Sequence, residues 1–365
     1  MSFPLFLLLS LLLPFASPSL QLSLLKNFSP SSSAPNFIFS PLHIYQTLSL
    51  LSNGAKGQTQ LELLRALNDV NDVSYLNRKQ FFYLDSNPKK SPTHVNAIFT
   101  KIQPMENFLE IARKYKIHVS QYTTAEEVNA WCYNQTNQKI SDVVKPTDND
   151  ATEVMVINAV TLKVKWKNAF SRYTTFDKQF NNADGSVSKV KMMKQARNVK
   201  YYENSMVQMV ELPFAENKVG AVFFLPKNMT EFIEALTDEM LSKLLRRLTK
   251  MEVNIEIPKF SIEGNVPLID ALKTIGVTKA FCKDKADFGG ITNHMKLHVN
   301  NMIHKTMLQI SEDGSFSSMS TGVTFGLLTF AKNVKDFFVD KPFLLMIRDQ
   351  DNPENMIYII KVDKL

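Results

Sequence analysis

Cysteine is nearly absent: Cys132 and Cys282 are the two in 365 residues. That excludes a disulfide-built scaffold. Neither cysteine has metal-ligand spacing, and both stand in apolar contexts, as buried free thiols do. No Pro/Gly/Ser-rich linker, low-complexity tract or internal repeat divides the chain. There is no His-Glu-x-x-His, no Gly-x-Ser-x-Gly, no phosphate loop and no dinucleotide fingerprint. Six histidines and many serines are present, but nothing marks a triad, so no catalytic residue, metal or cofactor is expected. The basic stretches lack interleaved aromatics, which argues against a nucleic-acid surface. The first apolar run, Met1 to Ala16, is too short to span a bilayer.

What is present is apolar and mildly basic: 44% hydrophobic residues and a formal net charge of +7. A large core is possible, and length alone leaves open one large domain or two ordinary ones with an unmarked boundary. Met1–Ala16 fits the apolar centre of a secretory signal peptide cut after Ala16. Two details run against it: no Lys or Arg lies in the first ten residues, and Pro14 stands three before the cut. The alternative is an uncleaved apolar first helix. Ser17 to Lys26 can open the fold by itself, which favours removal of what precedes it, so a secreted, extracellular protein is expected. Asn27, Asn134 and Asn228 each begin an Asn-x-Ser/Thr tripeptide, a glycan acceptor in an exported chain. Lys243, Arg246, Arg247 and Lys250 recur at three- to four-residue spacing and are expected on one helical face, either a polyanion site or a solvated basic surface.

The most informative stretch runs from Ile303 to Phe343. A strand-like segment (Met307, Leu308, Ile310) passes into Glu312-Asp313-Gly314-Ser315, then small hydroxyl residues from Ser317 to Gly322. Next comes the β-forming Val323-Thr-Phe-Gly-Leu-Leu328-Thr329-Phe330, and Lys341-Pro342-Phe343 closes the segment. A β-prone segment without an evident partner is normally an aggregation hazard, so a chain that carries one offers bait or holds a strand in reserve. Earlier, Asn36-Phe-Ile-Phe-Ser40-Pro41 leads from a short strand to a Ser-Pro helix start, and Gly54 is expected to end that helix in left-handed geometry. Val154 to Trp166 is a β-rich run suited to a buried central strand.

These segments, with Asn129-Ala-Trp131 to Ile140, Ile257-Pro258-Lys259-Phe260, Ala286-Asp287-Phe288 and His304-Lys305-Thr306, resemble the ordered landmarks of the serpins over about residues 20 to 363. Gln138, Val164 and Ile360 depart from the family, which has glycine at all three. The region from Asn68 to His94 is shorter than usual and suggests a shrunken fourth helix.

The resemblance implies an α+β serpin fold of three β-sheets and eight or nine helices, a single domain over 17–365 and a reactive-centre loop over about 314–341. It implies a monomeric, non-enzymatic inhibitor that traps a serine protease covalently, without nucleic-acid or membrane partners. Counting about sixteen residues from Glu312 gives a scissile bond at Leu328–Thr329, with Phe330 and Lys332 as alternatives. Leu328 suits chymotrypsin-, cathepsin G- or elastase-like enzymes. The cleaved loop would enter the central sheet with Ser315, Ser317, Met319 and Thr321 facing inward, three of the four small. Phe316, Met319 and the missing alanine run keep a carrier, chaperone or storage role as the second reading. Ser40, Asn158 and His304 would form a hydrogen-bonded network under the sheet centre, Trp166 a further structural position, and Lys259 a rim ion pair with Glu312 worth ~1 kcal/mol. A glycosaminoglycan or other polyanion is the one further partner implied.

Overall fold

The structure is a computed structural model that describes residues 18–31, 36–68, 72–86, 93–138, 140–145, 154–162, 165–215, 219–314, 334–350 and 356–365. In chain order it begins with α1 (Leu20–Ser31), β1 (Phe37–Phe39), α2 (Pro41–Gly54), α3 (Gly57–Ala66) and α4 (Val73–Ser86). Then come β2 (Thr93–Thr100), α5 (Glu106–Tyr115), β3 (His118–Gln121), α6 (Ala125–Gln135), β4 (Val154–Thr161), β5 (Phe176–Asn181) and β6 (Val187–Glu203). β7 (Val207–Pro213), β8 (Val219–Pro226), α7 (Met229–Ala235), α8 (Asp238–Arg246), β9 (Thr249–Pro258) and β10 (Phe260–Asn265) follow. The chain closes with α9 (Leu268–Thr274), β11 (Val299–Ile310), β12 (Lys335–Phe338), β13 (Phe343–Asp349) and β14 (Met356–Val362).

Two sheets carry the described strands. The first is five-stranded in the order β10-β11-β4-β2-β3. The second runs β1-β14-β13-β8-β7-β6-β9-β12, with β5 on β6. The 17-residue β6 pairs with β9 over Met192–Tyr201 and with β7 over Lys200–Glu203. The resemblance implies three sheets; the described strands form two, the larger continued through the one long strand β6.

Three apolar clusters hold the layers together. Trp166, Phe223, Phe260, Phe343 and Leu345 fill the space between the sheets. Val128 and Cys132 of α6 pack on Ala97, Ile157 and Ala159 of the five-stranded sheet. On the opposite side, Leu48 and Leu51 of α2 join Phe108 of α5 and Ile291. α2 is buried nearly all round, as expected for a helix enclosed in a core.

Several local expectations are corrected. Gly54 closes α2 but not in left-handed geometry; the residue after it, Ala55, is extended at φ −90°. Glycine is required because a Cβ there would stand 2.4 Å from Ile291 Cγ1 and 3.0 Å from Phe108 Cε2. The chain around Asp287 lies against the same turn, with Gly290 N–H donating to Gly54 O at 3.0 Å and Asp287 N–H to Thr59 Oγ1 at 3.0 Å. The region expected to carry a shrunken fourth helix holds α4, which has 14 residues. α8 stops at Arg246, so Lys243, Arg246, Arg247 and Lys250 do not share a helical face. Buried Leu248 pulls the chain into β9, where Lys250 pairs with Lys200 of β6. Of the two thiols, which are both free, Cys132 is buried and Cys282 half-buried; burial pushes the Cys132 thiol up to about 12.

Candidate functional site

The site is a seam, the hinge above it and the polar centre beneath it. β4 and β11 lie side by side and parallel, from Val299 opposite Val154 to Met307 opposite Thr161. Beyond Ile310 the chain reverses. Ser311 N–H donates to Gly314 O at 2.8 Å and Gly314 N–H to Ser311 O at 3.1 Å. Gly314 takes φ +126°, a region open to glycine and strained for other residues. It is bridged antiparallel to Ser311 on one side and to Lys165 on the other. Gly314 therefore sits between the extensions of β11 and β4, and the chain there runs opposite to both.

The reversal is pinned from one flank. Trp166 donates its backbone N–H to Asp313 O at 3.0 Å and its indole Nε1–H to Ser311 O at 2.9 Å, while stacking on Phe214 at 4.6 Å. Phe170 N–H donates to Glu312 O at 2.9 Å. Lys259 Nζ stands 2.9 Å from Glu312 Oε2, and Thr175 Oγ1 donates to Glu312 Oε1 at 2.9 Å. Glu312 is only 6% exposed while Lys259 is half-buried, so the expected rim pair joins a buried carboxylate to a partly exposed ammonium. Burial raises the Glu312 carboxyl, but the bonds from Lys259, its own backbone and Thr175 outweigh this and hold it below its ordinary range. A second pair, Arg172 Nη2 to Asp313 Oδ2 at 2.6 Å, flanks the first. Thr175, Arg172 and Asp313 were not singled out in the sequence; the adjacency of Asp313 to Glu312 was the one available signal.

Beneath the seam a polar row crosses the sheet. The pairing sets His304 of β11, Asn158 of β4 and Asn96 of β2 side by side, and all three are buried. Ser40 N–H donates to His304 Nε2 at 2.8 Å, which leaves the imidazole proton on Nδ1, 3.5 Å from Asn158 Oδ1. Asn158 Nδ2 donates to Thr47 Oγ1 at 2.7 Å and to Asn96 Oδ1 at 2.9 Å. Ser40 Oγ donates to Ile357 O at 2.6 Å and lies 2.5 Å from His43 Nδ1. The structure brings Ser40, Asn158 and His304 together and adds Asn96, Thr47 and His43. Trp166 and Lys259 lie at the hinge instead. Complete burial lowers the His304 imidazole to about 3, so it stays neutral.

The front of the seam is strapped by α6 and the segment after it. Asn129 Nδ2 donates to Val144 O at 2.8 Å, and Asn129 Oδ1 accepts from Val144 N–H at 2.9 Å. Lys305 Nζ donates to Ser141 O at 3.0 Å. Asn137 and Gln138 are both left-handed, at φ +52° and +63°, which accounts for glycine being the commoner choice where Gln138 stands.

Ser315, Phe316, Ser317, Met319, Thr321, Leu328, Thr329, Phe330 and Lys332, and the leader 1–16, lie outside the described residues. Asn134 is exposed at the end of α6. Asn27 is half-buried in α1, with Nδ2 donating to Ser23 O. Asn228 is exposed and caps α7 by accepting from Glu231 N–H.

The chain belongs to the serpin family: the model of the family described as Serpin (serine protease inhibitor) matches residues 16–360. Members of that family are in general protease inhibitors rather than enzymes. The chain is 28% identical to the plasma serine protease inhibitor of Bos taurus, over 96% of this chain and 91% of that one. It is 30% identical to alpha-1-antiproteinase S of Cavia porcellus, over 93% and 87%. The thermophilic serpin tengpin in its native state superposes with a TM-score of 0.88 at 25% identity, covering 95% of this chain and 92% of that one. Native protease nexin-1 with heparin shares the fold at a TM-score of 0.84 and 23% identity, over 95% and 97%.

Two expectations follow. The His304 imidazole is held near 3 against an ordinary 6.5, so the unfolded chain takes up a proton that the folded one refuses. Its contribution is whole above pH 6.5 and shrinks as pH falls towards 3. Between pH 7 and 5 the native protein should lose roughly 2 kcal/mol more stability than His304→Gln; parallel pH profiles in urea melts would contradict this. Glu312→Gln should cost about 1–3 kcal/mol, because Lys259 and Thr175 lose a charged partner. A double-mutant cycle with Lys259→Met should show coupling of about 1 kcal/mol or more, and additivity within about 0.3–0.5 kcal/mol would remove the pair from the account.

Proposed function

We propose that the chain is a secreted, monomeric inhibitor that traps a chymotrypsin-like serine protease at Leu328–Thr329. The observation that carries this reading is the placement of Gly314 between β11 and β4, antiparallel to both. A segment following Gly314 in that direction can enter the seam without a further reversal.

The protease serine attacks the Leu328 carbonyl. The Leu328–Thr329 bond breaks, the Thr329 amine leaves with a proton, and Leu328 remains esterified to the enzyme. The segment from Ser315 onward, freed at its far end, fills the seam between β4 and β11 and carries the acylated protease with it. Entry replaces one parallel pairing by two antiparallel ones, which hold slightly better per residue. Small inward residues at Ser315, Ser317 and Thr321 keep the cost of parting the sheet low. Apolar Leu328 fits a wide hydrophobic primary pocket. Phe330 offers the same pocket two residues later, and Lys332 would redirect the chain to a trypsin-like enzyme.

Export is supported by the apolar leader at 1–16 and by relatives named as plasma inhibitors; another relative carries the name intracellular coagulation inhibitor. Phe316 and Met319 support the second reading, a serpin that carries or stores a partner without inhibiting a protease.

Mixing the full chain with chymotrypsin at near-equimolar ratio should yield an SDS-resistant band at the summed mass less that of a small released fragment beginning at Thr329. A fragment beginning at Ala331 or Asn333 would move the bond to Phe330 or Lys332. Cleavage at Leu328–Thr329 that leaves the protease fully active and uncomplexed would contradict the proposal.

A further inference from the structure

A recess of about 240 Å³ opens where the ends of three strands meet the start of a helix, away from the seam and the hinge. Pro226 and Lys227 leave β8 there, Met229 and Thr230 begin α7, Lys341 and Pro342 precede β13, and Lys361 and Asp363 end β14. Ala183, from the turn between β5 and β6, completes the wall.

The charge around this recess is unbalanced. Three ammonium groups line it against one carboxylate, Asp363. Lys361 is the buried one: its side chain is 9% exposed, its ammonium is bonded to Asp363 and stands 6.0 Å over the Phe37 ring. A lysine is rarely kept this dry without a reason. Lys227 and Lys341 have no carboxylate partner among the described residues. The nearby acids are committed elsewhere, Asp184 to Lys364 at 2.9 Å and Asp340 to Lys178 at 3.2 Å. An anion entering the recess would meet two unpaired ammonium groups backed by a third. Pro226, Met229 and Pro342 offer apolar wall to whatever the anion is attached to.

We propose that this recess binds a phosphate or sulfate monoester. Lys227 and Lys341 would supply the charge as single-point donors, which suits a tetrahedral oxyanion better than a planar carboxylate, for which the forked guanidinium is the usual partner. Asp363 stays acceptor-only on its free side and takes a hydrogen bond from a protonated phosphate oxygen or a neighbouring sugar hydroxyl. The recess also has a mechanical consequence. Lys341 belongs to the segment that returns from 315–333, and its neighbour Asp340 is held through its carbonyl by Asn181 N–H at 2.8 Å. An anion bridging Lys341 to Lys227 and Lys361 ties that return to the ends of β8 and β14 and stabilises the intact form.

The test uses the full chain produced without glycans, because the acceptor Asn228 stands at the rim. Thermal melts and calorimetric titrations with inorganic phosphate are compared with chloride at matched ionic strength. Phosphate should raise the melting temperature saturably, and Lys227→Ala/Lys341→Ala should weaken binding at least about tenfold. Should the double variant fold poorly, Lys227→Ala at its exposed position is expected to weaken binding about threefold. Lys243→Ala/Arg246→Ala, on α8, should leave phosphate binding unchanged. A sulfated disaccharide tested beside its unsulfated form separates the two sources: tighter binding than phosphate assigns the recess to a sulfated sugar, weaker binding to a phosphate. A melting shift no larger than chloride gives, or equal binding by the Lys227/Lys341 variants, overturns the proposal.

Discussion

The parallel contact between β4 and β11 is the constraint on which the rest of the molecule turns. Two central strands of a buried sheet, bonded over most of their length, ordinarily close the matter of topology. Here the chain that leaves β11 reverses at once and presents Gly314 to the same seam from above. The sheet is complete as it stands, and under the proposed mechanism it accepts one more strand. The other features of the site either hold that seam closed or hold its entrance ready.

Holding it closed is the work of groups that cost little to rearrange. On the face opposite α6, the centre of the seam rests on neutral His304, Asn158 and Asn96, fixed by Ser40 and Thr47. A hydrogen-bonded row can exchange partners when strands part, whereas a close-packed apolar core resists separation outright. The entrance uses charge instead: Lys259 and Arg172 grip the adjacent carboxylates of Glu312 and Asp313. Over the front, the strap after α6 is bonded to β11 through Lys305, which donates to Ser141 O.

Much of this was legible in the sequence because it is local. Ser40-Pro41 starts α2, the Val154–Trp166 run yields the fully buried β4, and Glu312-Asp313-Gly314 makes the reversal. Illegible features depend on distant partners. Arg172 meets Asp313 across 141 positions and Thr175 meets Glu312 across 137, with nothing in either neighbourhood to announce it. Gly54 shows a different limit. Left-handed geometry and close approach both call for glycine, and only the position of Ile291 separates them. The basic residues after Lys243 failed as a helical face because Leu248 ends the helix by entering the core, although their spacing is helical to the end.

The central claim is that the seam between β4 and β11 takes up the chain that follows Gly314 once that chain is cut. It is tested most directly by nicking the purified protein once within 315–333 and comparing its heat denaturation with that of the intact protein. Insertion adds a strand bonded on both sides, so the account predicts a large rise in melting temperature for the nicked form. An unchanged or lowered melting temperature after quantitative cleavage would contradict it.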